Sequence, residues 1–502
     1  MHHNVEKDLV AEVEQITQPT QRLRGYVPDS SEQKRLDRRI NLKLDLTAVA
    51  MLALGFLFQG IDKTNIGNAA TSSHFIKDAG LQPDDVPNAV SLFSATFIPF
   101  MPISTAIGRV VGPKRWIPII MLCWGGITMA HAAISQRTTL IALRLLLGVF
   151  EAGFVPTAYY YISTLFPMYH AGFRLGLFAG MYAWGAAFAS LIAYGVLQIN
   201  SSQYASWQIL FILEGAVTLG LAALTYFVLP EHVSTAWMLN DDERRHAAQR
   251  LEIDGEVFDG TDTEYVGQER RITSRNVKDA FTDWRKILMI VFNMCATMPV
   301  YAFTTFLPLI LKGMGYSGIR SNLMSVPPFV VAAIGLYAVV WASDRIRQRA
   351  FLIAGSMFVG VIGMIVLISS HDQKLRYGFA HVALIGAGTS NPLVAAWITD
   401  NTPEKATRAV IFGFYAISNL GGIIAGQVYK AKYAPTYNVS LMATMIVVCV
   451  GIAGMLGLRY CFVWENKKRQ RLMESWTEGD WRHERADPKR RGERKRFFIY
   501  GL

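Results

Sequence analysis

The sequence is poor in charge. Only 17% of its 502 residues are Asp, Glu, Lys or Arg, whereas 52% are hydrophobic and the mean hydropathy is positive, a balance outside the range of soluble domains. Cysteine is scarce as well: Cys123, Cys295, Cys449 and Cys461 stand singly inside apolar runs, with no CxxC or metal-ligand spacing. This excludes a disulfide framework or a zinc site and reads the four thiols as small buried hydrophobes. No GxxxxGK[ST] loop is present, which argues against an ATP-driven pump, and no HExxH, GxSxG or histidine pair at ligand spacing points to an intramembrane enzyme. No filter-like reentrant segment suggests a channel. The expectation is a non-enzyme without cofactor or metal. The amino terminus, MHHNVEKDLVAEVEQ, lacks the apolar core of a cleaved signal, so the first apolar helix is expected to start insertion itself.

What is present is long apolar runs. A bilayer core needs about 20 helical residues, and twelve segments qualify, near 46–68, 87–108, 116–135, 138–161, 171–198, 207–229, 286–311, 322–343, 350–370, 376–399, 408–430 and 438–463. An even number places both termini and the charged 230–285 segment on one side. That side is expected to be the cytoplasm, because RLDRRINLK, ERRHAAQR, QERRITSRNVK and ENKKRQRLM flank the spans. The net charge of +11 is thus assigned to membrane orientation rather than to nucleic acid. The expected fold is an all-α polytopic membrane protein of twelve helices in two six-helix halves. Its parts are an N-terminal segment 1–45, a first half 46–229, a central loop 230–285, a second half 286–463 and a basic tail 464–502, read as a disordered arm. Sequons at Asn200 and Asn438 fall on the predicted outer face and are glycosylation candidates, with chance Asn-x-Ser as the alternative.

The halves repeat a local pattern. GRVVGPKRW follows the second span and WASDRIRQR the eighth, each a basic cluster on a tight turn that can cap helix ends. Gly112, Lys114 and Arg115, and then Asp344 and Arg345, resemble the loop motif of the major facilitator superfamily, although Arg109 stands where that motif has Asp. Within it the chain resembles the fungal anion:cation symporters of the allantoate permease type, on IDKTNIGNA (61–69), RLLLGVFEAGFVPTAYYYIS (144–163), WQILFILEG (207–215), AAWITDNT (395–402) and NLGGIIAGQVY (419–429). The resemblance implies the major facilitator fold and carriage of small carboxylate-bearing metabolites, such as allantoate, ureidosuccinate, nicotinate or pantothenate, generally with protons. One departure is that FMPISTAIG replaces the Glu-x-Pro-Ser-Asn sequence usual late in the second helix.

Ionisable groups inside spans are costly and are functional candidates by default. Arg144, Gly148 and Glu151 share one face of the fourth span. Arg144 can bind a substrate carboxylate bidentately and Glu151 can carry a proton, or the two can form an internal pair that fastens helices. Asp62 and Glu214 are further proton-coupling candidates. Asp62, Asn65, Asn391, Asn419 and Tyr160 complete the substrate-contact candidates with Arg144, and Asn293 is an interhelical or substrate amide. His381 is a minor titrating candidate. Asp62 and Asn65 are placed in an outer vestibule above Arg144 and Glu151, with Lys63 about 100° round the helix and reaching the outer surface. Tyr159, Tyr160, Tyr161, Tyr182 and Trp184 read as cavity-side aromatics. Asn391-Pro392 and Pro327-Pro328 are expected to break or bend their helices. Gly172, Gly176 and Gly180 in the fifth span, and Gly422 and Gly426 in the eleventh, suggest helices five and eleven facing each other across the seam.

The resulting expectation is a secondary transporter in the plasma membrane, monomeric, with both termini cytoplasmic. It takes up a small organic anion with protons as coupling ion, by alternating access. Export of an organic acid or secondary metabolite by the same fold is the alternative.

Overall fold

The computed structural model describes residues 28, 30–72, 74–259, 277–278, 280, 282–346, 348–402, 405–487, 490 and 492–502, the side chains of 168–173, 254–259, Asp344 and a few others excepted. In hydrocarbon every backbone polar group has to bond within its own segment, so apolar runs of this length fold as helices. Twelve are long and apolar enough to cross a bilayer. We number them α1 (Ser31–Ala69), α2 (Asp85–Val111), α3 (Pro113–Ala133), α4 (Arg137–Leu165), α5 (Met168–Val196), α6 (Ser206–Val228), α7 (Trp284–Gly313), α8 (Gly318–Ile346), α9 (Arg349–Ser369), α10 (Gln373–Asp400), α11 (Val410–Val428) and α12 (Asn438–Glu474). An even number of crossings leaves Ser31, the 229–283 connection and the 474–502 segment on one face, here the termini face; the opposite one is the distal face.

The helix ends follow local chemistry. Ser30 accepts a hydrogen bond from the Gln33 amide at 3.1 Å and caps α1, which runs 15 residues along the termini face before the expected start of its apolar run. One widened turn at Asp45–Val49 separates the polar front from the apolar remainder. There Arg174 of α5 grips Asp45 with Nε at 2.5 Å and Nη2 at 2.7 Å. Helix Asp241–Asp259 docks on this front: Lys43 reaches Glu243 at 2.6 Å, and Arg250, wholly buried, donates to Asn41 at 2.9 Å. The central segment, expected as a solvated linker with short helical pieces around 239–251, carries its helix there fastened to the front of α1, and 260–276 lie outside the described residues. Glu243 is pushed up by burial, but its bonds from Lys43 and the Asn240 amide outweigh this and hold the carboxyl below its ordinary range.

Helices α1, α5 and α6 pack together, α3 lies on α6 and α2 on α4; in the second half α9 packs on α10 and α12, and α7 on α10, α11 and α12. Across the seam α5 meets α8 and α2 meets α11. This corrects the expected pairing of α5 with α11. Gly180 faces Tyr337 of α8, whereas Gly422 and Gly426 face Ser94 and Ser91 of α2. Gly180, Gly422 and Gly426 line the seam with a different partner for each helix, whereas a Cβ at Gly176 would meet no neighbour within 4 Å and Gly172 falls among the residues whose side chains are not described.

Other breaks fall where sequence did not place them. α8 and α10 continue through Pro327-Pro328 and Pro392, while α4 is interrupted at Ala152–Gly153 and α11 tightens at Tyr415–Asn419. Of the cysteines only Cys295 is buried; Cys449 is exposed on the bundle's outside. The tail is not a disordered arm: α12 continues to Glu474, Thr477 caps a helix over Glu478–Ala486, and residues 492–502 fold back onto the termini face of the second half.

On the distal face the halves are tied together. Lys312 donates to the Thr71 carbonyl at 3.1 Å, Asn322 to the Thr71 hydroxyl at 2.9 Å, Lys430 to Asn88 at 2.5 Å, and the Ala431 amide to Asp84 at 2.8 Å. Gly67 is needed here, because a Cβ would overlap the Thr305 carbonyl of α7. Among the described residues the termini-face ion pairs Lys43–Glu243, Arg174–Asp45, Arg115–Glu231, Lys286–Glu493 and Arg349–Asp400 tie each half to itself or to the segments flanking it, and none joins the first half to the second. The seam is closed at the distal face by bonds that cross it.

Candidate functional site

α1 carries its polar residues through the closed end of the seam. Gln59, Asp62, Asn65 and Asn68 are all buried, so Asp62 and Asn65 line no open vestibule; they point into the first half against α3, α4 and α6. The expected vestibule is occupied by the distal ties. Asn65 accepts from Arg144 Nη2 at 3.1 Å, which puts the two at one level rather than one above the other. Gln59 donates to the Glu151 carbonyl at 3.0 Å, an acceptor freed by the break in α4 one residue later. The interruption thus explains both the placement of Glu151 and the burial of Gln59.

Among the described residues, neither carboxylate oxygen of Asp62, Glu151 or Glu214 has a hydrogen-bond partner, and all three groups are buried. They lie within electrostatic reach of Arg144, whose Nε is also unpartnered. Three ionised carboxylates beside one guanidinium would be strongly unfavourable in low dielectric. His131, which sequence reasoning missed, joins the group: its Nδ1 donates to the Ile127 carbonyl at 2.8 Å, its ring stacks on Phe211 at 5.3 Å, and Nε2 has no described partner. A lone histidine at a helix end gave no sequence signal.

Lys63 is the principal correction. Instead of reaching the outer surface it enters the seam, where its ammonium lies 4.4 Å from the Phe97 ring centroid, 5.2 Å from Phe93 and 5.6 Å from both Tyr182 and Tyr301. Among the described residues no carboxylate lies within salt-bridge distance of it. Lys63, Arg144, Val90, Phe93, Tyr182, Tyr301 and Thr305 line a narrow cleft between the halves. The direction of Lys63 follows from helix rotation: Asp62 and Asn65 face the first half's interior, so the residue 100° round faces the seam.

From the second half, Tyr301 turns its ring to Lys63 while its hydroxyl donates to Asn419 at 2.9 Å. Asn419 therefore stands behind Tyr301. Asn391 accepts from Asn293 at 2.9 Å and from the Tyr415 hydroxyl at 2.5 Å, forming a separate knot of α7, α10 and α11. Of the expected cavity aromatics only Tyr182 reaches the cleft. Tyr160 lies under the Arg109 guanidinium at 5.2 Å, Tyr161 donates to the Pro230 carbonyl at 2.5 Å, Tyr159 packs on Phe178 and Trp184 on Phe188. His381 is held by the Tyr377 carbonyl at 2.9 Å.

Away from the cleft, Gly112 turns the chain between α2 and α3 at φ +91, where a side chain would be strained. Lys114 is half-buried beside it, and Arg115 meets Glu231 at 3.6 Å in an exposed pair. Arg345 lies over the Trp341 ring at 4.6 Å, and the side chain of Asp344 lies outside those described. Asn200 is exposed in the distal loop before α6, whereas Asn438 opens α12 with its Oδ1 buried.

The comparisons agree on one family. The Major Facilitator Superfamily description matches residues 52–426. The MFS-type transporter efuF of Hormonema carpetanum is 32% identical over 452 residues, covering 89% of both chains. The high-affinity nicotinic acid transporter of Saccharomyces cerevisiae is 27% identical, covering 88% of this chain and 81% of its own. Among solved structures, a bacterial homolog of the human lysosomal transporter Spinster, in an inward-facing, unoccupied conformation, superposes with a TM-score of 0.63 at 15% identity, over 82% of this chain and 96% of that one. A D-xylose-proton symporter gives 0.60 at 13%, with the same coverages. At such identities the structures speak for the fold alone, and the relatives are membrane transporters, not enzymes. This chain, a multi-pass membrane protein that carries small molecules, belongs to the Major Facilitator Superfamily.

Proposed function

We propose that the chain takes up a small organic anion, an aromatic carboxylate being the best fit, together with protons, by alternating access in the plasma membrane. The observation that carries this is Lys63: an ammonium with no carboxylate within salt-bridge distance among the described residues, though within electrostatic reach of Glu151, set among four aromatic rings and lining with Arg144 a cleft between the halves. Such a cation is an open site for a carboxylate, and flat rings suit a flat solute. The nicotinic acid transporter among the relatives supports an aromatic acid, and with the motifs of α1, α4 and α6 it supports the allantoate permease type.

Proton coupling is assigned to Asp62, Glu151 and Glu214, three buried carboxyl groups inside the spans whose oxygens have no hydrogen-bond partner among the described residues. Anion binding at Lys63 and Arg144 changes the field on these carboxyls, which links the two cargoes. The Lys/Arg-rich flanks put the termini in the cytoplasm, so the distal seal is the extracellular gate and the cleft opens inward. The test is uptake of radiolabelled nicotinate and a panel of other carboxylates into cells expressing the protein, with and without a protonophore. Accumulation abolished by the protonophore is expected; no accumulation of any acid, with loss of some cell metabolite instead, would overturn uptake in favour of export.

A further inference from the structure

The segment 492–502, which ends in FFIYGL, is seated in a site made for it. Tyr500 gives its amide to Asn466 Oδ1 at 2.8 Å and takes Asn466 Nδ2 on its carbonyl at 2.9 Å; Gly501 does the same with Asn401, at 2.9 and 3.2 Å. Two side-chain amides thus read both backbone groups of two consecutive residues, which fixes register as a strand partner would. Trp397 Nε1 adds a bond to the Gly501 carbonyl at 2.8 Å, and the Arg349 amide one to the Leu502 carbonyl at 2.7 Å.

Side chains complete the recognition. The Tyr500 ring stacks on Phe462 at 4.8 Å between ring centroids, with the guanidiniums of Arg469 at 4.7 Å and Arg285 at 5.1 Å from its own. Arg469 also donates to the carbonyls of Glu493, Lys495 and Phe498 at 3.0, 3.1 and 2.8 Å, and Lys286 pairs with Glu493. Trp397 and Asn401 are fully buried, Lys286 is 2% exposed and Asn466 7%. Without the segment Asn401 Nδ2 would keep the Trp397 carbonyl and Lys286 would keep Asp283, whereas Asn466, Trp397 Nε1 and Asn401 Oδ1 would lose the partners that the segment gives them.

We propose that the termini-face ends of α7, α9, α10 and α12 form a peptide-binding site whose ligand is the chain's own aromatic 492–502 segment, and that its occupancy binds those four ends into one unit. The ligand class is a peptide with a helical turn at Gly492–Arg494 and an end that carries Tyr-Gly in the Asn466 and Asn401 clamps. All of the contacts lie within the second half, so the strap travels with it. It holds the end of α10, whose middle carries Asn391, against α12, which favours movement of the half as a rigid body over independent swinging of α10.

The test uses the full chain in nanodiscs, compared with Tyr500→Ala and with a deletion of 492–502. Trypsin cleavage at Lys495 and Arg496 is expected to be at least about ten-fold slower in the wild type than in Tyr500→Ala, because cutting needs the segment to leave. Backbone hydrogen exchange at Trp397–Asn401 is expected to rise by about ten-fold or more in the deletion, and to return on adding the peptide GERKRFFIYGL but not its Tyr-to-Ala version. Equal cleavage of wild type and Tyr500→Ala overturns the proposal. So does unchanged exchange at Trp397–Asn401 in a folded deletion; if the deletion does not fold, the same exchange measurement on Tyr500→Ala decides.

Discussion

Replacing Lys63 by Met separates a substrate anchor from a structural prop. Met keeps most of the side chain's volume and its packing against Phe93, Phe97, Tyr182 and Tyr301 but removes the charge. A charge-assisted hydrogen bond to a carboxylate is worth about 1.5–3 kcal/mol, so the KM for the transported acid is expected to rise roughly 10- to 150-fold. Stability should move the other way. Each cation–π attraction that Met cannot make is worth on the order of 0.5–2 kcal/mol at best, while desolvating an ammonium with no carboxylate within salt-bridge distance costs several kcal/mol. The thermal midpoint of the purified variant should therefore hold or rise. The assay pairs concentration-dependent uptake, normalised to surface abundance, with thermal unfolding in detergent. A KM within two-fold of wild type, or a lowered midpoint with normal uptake by the remaining protein, would refute the assignment of Lys63 to the substrate.

Arg144→Ala should abolish transport at normal membrane abundance, because it removes the guanidinium that donates to Asn65 and lines the cleft beside Lys63; normal uptake would sink its role. Glu151→Gln should keep exchange of labelled for unlabelled acid while losing protonophore-sensitive accumulation, measured in proteoliposomes with and without a pH gradient. Gly67→Ala places a methyl against the Thr305 backbone, so the distal face cannot close. A thiol introduced at Val90 should then be labelled faster from the distal side, with transport lost and folding retained. Asn322→Ala removes one tie, worth about 0.5–1.5 kcal/mol, and should shift the same labelling by only about two- to ten-fold.

Much of the fold was legible because a membrane span is a one-dimensional constraint. A helix has to be about 20 residues long and apolar, and that is written in the order of residues from Leu46 to Phe462. Arg144 and Glu151 were legible for the same reason, since charge inside a span is rare. Azimuth is different. Lys63 and Asp62 are neighbours in sequence, yet one enters the seam and the other the first half's interior, because α5 and α6 fix the rotation of α1.

Long-range pairing was equally hidden. Nothing local marks Asn401 and Asn466 as partners of residues 100 and 34 positions away, so FFIYGL could be read only as the end of a basic arm. The glycines of α5 and α11 announced close packing but not that α8 and α2 are the helices they meet. Residue order alone sets the number of spans, the six-plus-six plan and which buried charges exist, because desolvation acts on each segment separately. Where those charges point, which face of the seam is closed and what holds the tail are settled by folding in three dimensions, because these depend on contacts between segments far apart in the chain.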